Sequence, residues 1–171
     1  MDHKWRIARA VLVALLALVA ANYVYGLVHE LAHAVVVEAS GGQVFRIYVN
    51  PAGPGAYTEH TPVSGTAGIV ALNLAGLGAT TLLAVAALPA GRGLVSIFLA
   101  GRTAIYALNY GTGTDMSAIY AAVGPASLAL SLLVAGLNAA CIIAALGGPK
   151  RVSAALSSSL WRARRANSSA E

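Results

Sequence analysis

Long apolar runs, separated by short polar or glycine-rich breaks, set the pattern of this chain. The first begins at Ile7 and stays apolar to about Ala39, where Gly41-Gly42 stops it. At about 1.5 Å per residue, a helix of that length exceeds a hydrocarbon core of about 30 Å. It must therefore tilt, kink or protrude, and Gly26 is the natural place for an adjustment. From Gly42 to His60 the pattern changes. Gln43-Val44-Phe45-Arg46-Ile47-Tyr48-Val49 is rich in β-branched and aromatic residues, and Asn50-Pro51-Ala52-Gly53-Pro54-Gly55 reads as a turn. Ala56-Tyr57-Thr58-Glu59 then returns as a second strand, so a small β-hairpin is expected here, with an irregular loop as the alternative. Three more apolar runs follow, at about 63–88, 94–110 and 117–146. The first is dense in small residues, including Gly65, Gly68, Ala75, Gly76 and Gly78, which let membrane helices pack closely. The second is interrupted by Arg102, and the last is expected to bend at Gly124-Pro125.

The expected fold is an all-α polytopic membrane protein, with about four transmembrane helices and a small β-hairpin after the first. Residues 1–149 form one membrane-embedded core, and 150–171 form a basic tail. Composition agrees. Of 171 residues, 58% are hydrophobic and only 10% charged, where a water-soluble domain carries about a quarter charged. The basic N-terminal residues followed by Ala10 to Ala21 resemble a signal peptide, but no convincing cleavage boundary follows. A retained transmembrane helix is therefore expected.

The net charge of +5 does not indicate nucleic acid. Lys4, Arg6 and Arg9 lie at one end and Lys150, Arg151, Arg162, Arg164 and Arg165 at the other, which is membrane flanking and not a phosphate-tracking stripe. Four spans put both basic termini on the side of Arg92. By the positive-inside rule, that side is the cytoplasm of a multi-pass cell-membrane protein. The lone Cys141, in an apolar run, reads as a small buried side chain.

Within the first run lies His29-Glu30-Leu31-Ala32-His33. Residues four apart share a helix face, so His29 and His33 can aim their imidazoles at one point, and Glu30 can reach a water held there. This is the H-E-x-x-H arrangement of zinc hydrolases. Ionisable side chains at membrane depth are costly, which makes them functional candidates. A bis-histidine haem site is excluded, because histidines one turn apart cannot reach opposite faces of a haem. Two histidines still need a third protein ligand. Asp115 follows a membrane span at matching depth, among Gly and Thr that allow close backbone approach, and is the favoured candidate. Its alternative role is the N-cap of the last span. His60 is the runner-up ligand, Glu38 lies about half a turn off the face, and Arg102 is expected to pair with a buried carboxylate, with a substrate contact as the alternative.

These residues resemble the intramembrane zinc metalloproteases of the site-2 protease type, the M50 peptidase superfamily. Residues 29–33 match the family's first motif in full. Leu74-Ala75-Gly76-Leu77-Gly78 is similar to its A-G-P-x-x-N stretch without the proline and asparagine. Asn109-Tyr110-Gly111-Thr112-Gly113-Thr114-Asp115-Met116 is similar to its aspartate motif, without a proline and with Met where glycine usually follows. The resemblance covers roughly Tyr23 to Tyr120. It implies zinc held by His29, His33 and Asp115, with Glu30 as general base and Asn109 as an oxyanion donor. Helix–helix hydrogen bonding is the other role open to Asn109. It also implies a membrane protein or peptide as substrate, held extended along Val44 to Val49. A non-proteolytic protein on the same scaffold, acting in binding or transport, is the alternative.

Overall fold

In the computed structural model, residues 3–50 and 55–147 are described. The proposed tail at 150–171 and the turn residues 51–54 lie outside them. Helix α1 spans His3–Ala39, β1 Val44–Val49, β2 Ala56–His60, α2 Thr66–Ala87, α3 Gly93–Ala107, α4 Asp115–Val123 and α5 Ala126–Ala145. The fold is mostly helical, with one two-stranded antiparallel sheet. Three helices, α1, α2 and α5, are long and apolar enough to cross a membrane.

Two expected spans differ from what is observed. The run expected as a helix at 94–110 ends at Ala107, because the chain turns there. The Thr114 hydroxyl bonds the carbonyls of Asn109 and Gly111 and draws the backbone into a tight loop. At 15 residues, α3 is shorter than the three long apolar helices. The run expected as one bent helix at 117–146 is two helices. Gly124 takes φ +62°, a left-handed conformation that ends α4, and Pro125 starts α5 without a backbone donor.

Helix α1 is continuous through Gly26, whose missing side chain serves packing. A Cβ there would lie 2.9 Å from Val49 Cγ1 and 3.6 Å from Ala56 Cβ, so glycine lets the hairpin rest on the helix. The strands pair with Ile47 opposite Thr58, Tyr48 opposite Tyr57 and Val49 opposite Ala56. The stacked Tyr48 and Tyr57 rings, 5.3 Å apart, reinforce that register. The first half of α1 is exposed, with Trp5, Val11, Leu12, Leu15 and Leu16 among its uncovered apolar side chains. Packing begins at Tyr25.

The helices meet through small residues and short polar side chains. Tyr25, Ala84, Leu99, Ala100 and Cys141 form one buried cluster. Leu77, Ala107, Met116 and Ile119 form another beside the site. Fully buried Thr80 and Thr103 bond at 2.9 Å across α2 and α3, and the Tyr25 hydroxyl lies 3.4 Å from Thr103. Buried Asn138 of α5 donates to Thr81 of α2 at 2.8 Å. Such bonds satisfy polar groups that lipid cannot, and tie α1, α2, α3 and α5 into one unit.

Candidate metal centre

Helices α1 and α2 run antiparallel, and the contacts advance in step. Each four-residue move along α1, from Tyr25 to His29 to His33, matches a four-residue move back along α2, from Thr80 to Gly76 to Leu72. Tyr25 and Thr80 are joined through Thr103. His29 lies over Gly76, where a Cβ would stand 2.5–2.6 Å from the imidazole ring atoms. No side chain larger than hydrogen fits under that ring. The His33 Nδ1–H donates to the Leu72 carbonyl at 2.7 Å, so in the neutral ring Nε2 is the nitrogen that can bind a metal. Both histidines and Glu30 are buried, at 7%, 7% and 5% exposure.

Asp115 arrives from the loop after α3. The alternative of an N-cap does not apply to it, because Thr114 holds that position. The Thr114 hydroxyl accepts the Ser117 N–H, and the Ser117 hydroxyl accepts the Thr114 N–H, completing a capping box. Asp115, the first helical residue, thus keeps its carboxylate for the histidines. Its Oδ2 is 2.9 Å from His29 Nε2, and its Oδ1 is 3.6 Å from His33 Nε2. Two imidazole nitrogens and a carboxylate oxygen, all within 4.8 Å of one another, form a set able to hold a metal ion. His29 Nδ1 is buried with no hydrogen-bond partner, so packing holds this ring. Besides Gly76 beneath it, Tyr25 and Tyr106 lie with ring centroids 6.0 and 6.1 Å away.

Glu30 faces the hairpin. The Thr58 hydroxyl lies 2.9 Å from Glu30 Oε2 and 3.0 Å from the Glu30 carbonyl. The register explains the meeting. From Gly26 to Glu30 the helix rises about 6 Å, and from Ala56 to Thr58 the strand rises about 6.6 Å. The contact of Gly26 with Ala56 therefore places Thr58 beside Glu30. Sequence reasoning missed Thr58, Leu72 and the tight demand at Gly76. Thr58 lies in a stretch that reads only as strand, a backbone carbonyl leaves no trace in residue type, and Gly76 stands among many small residues.

A cavity of about 280 Å³ opens beside these groups, lined by His29, Glu30, Asp115, Asn109, Arg102 and Tyr106 among others. Asn109 Oδ1 accepts the Gly111 N–H at 2.9 Å, so its amide nitrogen is the atom left to donate. His60, the runner-up ligand, is not brought into the donor set; its Nδ1 lies 2.7 Å from the Thr61 carbonyl oxygen. Glu38 is exposed on α1. Arg102 does not pair with a carboxylate among the described residues. It bonds Asn22 Oδ1 and the Tyr106 hydroxyl, and lies over the Tyr25 and Tyr106 rings. Those aromatic and neutral oxygen partners, available where α1 and α3 face each other, take the place of the expected carboxylate. Comparison with family models, with curated proteins and with solved structures returns no match, so the site stands on its own geometry.

Proposed function

We propose that this chain is an intramembrane zinc metalloprotease of the cell membrane, hydrolysing peptide bonds of membrane proteins or peptides. The observation that carries the reading is the convergence of His29, His33 and Asp115 from two separate helices, with Glu30 on the same cavity wall. Two imidazole nitrogens and a carboxylate are the ligand chemistry that zinc takes. Tetrahedral zinc takes such ligands at about 2.0–2.2 Å, which spaces donor atoms about 3.3 Å apart. His29 Nε2 to Asp115 Oδ2 at 2.9 Å and His33 Nε2 to Asp115 Oδ1 at 3.6 Å lie near that spacing, and the three donors all lie within 4.8 Å of one another. When bound, zinc supplies a Lewis acid that polarises a carbonyl and acidifies water.

The chain's own residues do the rest. The Thr58 hydroxyl bonds Glu30 Oε2 and leaves Oε1 to take a proton from a water beside the donor set. The oxygen of that water bonds to the scissile carbonyl carbon, and as the C–N bond breaks Glu30 carries the proton to the leaving amine. The Asn109 amide donates to the oxyanion that develops on the attacked carbonyl. A helical substrate hides its peptide bonds, so it must unwind locally. The edge of β1 that faces away from β2 receives it by β-augmentation. In this reading α3 also traverses the bilayer, giving four crossings, and the basic ends lie in the cytoplasm.

Glu30→Gln tests the proposal. The variant is expected to keep its zinc while cleavage of a reconstituted membrane peptide falls at least about a hundredfold. Cleavage persisting in the variant rules out Glu30 as the base. A biological role persisting without cleavage points to a binding or transport function on the same scaffold.

A further inference from the structure

Among the described residues, Arg102 is a guanidinium without a counter-charge. It sits in an apolar helix that packs in the core, and no carboxylate of the described residues lies within ion-pair distance of it. An arginine offers five N–H donors. One nitrogen bonds Asn22 Oδ1, another bonds the Tyr106 hydroxyl at 3.1 Å, and Nε is buried with no partner. The Tyr25 and Tyr106 rings lie 4.8 and 5.4 Å from its central carbon, which steadies the cation without neutralising it. A charge at this depth is costly unless it meets an opposite one.

The cavity supplies the place for that opposite charge. Arg102 lines the same space as His29, Glu30 and Asp115, and it is the only Lys or Arg among the described lining residues. Tyr106 touches both ends, contacting His29 through its ring and Arg102 through ring and hydroxyl. The cavity therefore has the donor set and Glu30 at one end and a cation at the other. We infer that Arg102 is the specificity residue of this cavity and receives a substrate carboxylate. The inference rests on the protease reading for the ligand being a peptide. Arg102 attracts that carboxylate, so the peptide enters with its carboxylate at Arg102 and its neutral backbone towards the donor set. The carboxylate is either a free C-terminus or an acidic side chain. Both present the same planar pair of oxygens to the guanidinium.

The test uses the Glu30→Gln protein in detergent, which holds peptide without turning it over. The probe is dansyl-labelled Leu-Ala-Leu in three forms: the free acid, the C-terminal amide, and the amide with glutamate replacing alanine. Affinity is read by fluorescence anisotropy. One carboxylate form is expected to bind at least about tenfold tighter than the neutral amide. Tighter binding of the free acid identifies the C-terminus as the group received, and tighter binding of the glutamate form identifies a side chain. Adding Arg102→Gln erases the preference. Adding Asn22→Asp instead, which supplies an internal carboxylate beside an unaltered Arg102, erases it as well and covers the case in which loss of the arginine disturbs folding. No binding by either carboxylate form, equal binding of all three forms, or a preference that survives both substitutions overturns the inference. These affinities do not depend on turnover, so a failure to hydrolyse peptides is a separate result.

Discussion

The hydrogen at position 76 is what gives the His29 imidazole its place. A methyl there would stand 2.5 Å from ring carbon and nitrogen alike, and the ring has no flexible end to swing away. Gly76→Ala is therefore expected to turn His29 out of the donor set and destabilise the packed helix pair by about 1–3 kcal/mol. Its zinc affinity should fall at least about tenfold by competition titration with a chromogenic chelator. The same substitution at Gly78, where a Cβ meets nothing within 4 Å, should leave affinity unchanged. Gly76 and Gly78 look alike in the sequence. Only the antiparallel meeting of α1 and α2 tells them apart.

At the scale of elements, the hairpin acts on the site through one contact line. Gly26 allows Val49 and Ala56 to approach α1, and that approach carries Thr58 to Glu30. Gly26→Val should lift the hairpin and release Glu30 while leaving the metal donors in place. Zinc content by mass spectrometry should then stay near wild type, while the cleavage rate falls about 10–100-fold, as when a supporting hydrogen bond is lost. The helices and the hairpin were legible in the sequence because apolar runs and β-branched clusters are local signals. His29, Glu30 and His33 were legible because their spacing is local too. The break at Gly124 was only half legible: glycine and proline mark a bend, and the left-handed backbone turns it into a stop. The partners of Arg102 were not legible, since Asn22 and Tyr25 stand about eighty residues earlier and are neutral. Asp115 could be nominated by elimination. What frees it from capping is the Thr114–Ser117 pair, a detail of local geometry.

For the whole molecule, the charge pattern and the site make one joint demand. His29, His33 and Asp115 must lie towards the non-cytoplasmic half of the bilayer if the basic ends are cytoplasmic. With Cys141 replaced by alanine, a cysteine introduced at Arg46 should react with a membrane-impermeant maleimide added outside intact cells. One introduced at Arg92 should react only after the cells are opened. The reverse pattern would invert the topology and with it the side from which substrate enters.

Three side chains from α1 and α4 form the candidate metal site. Zinc bound to the purified protein, measured by mass spectrometry alongside the Asp115→Ala and Glu30→Gln variants, tests it most directly. About one zinc per chain is expected in the wild type and in Glu30→Gln, with loss of most of it in Asp115→Ala. A wild-type protein without stoichiometric zinc, or an Asp115→Ala variant that holds zinc as tightly as the wild type, would contradict it.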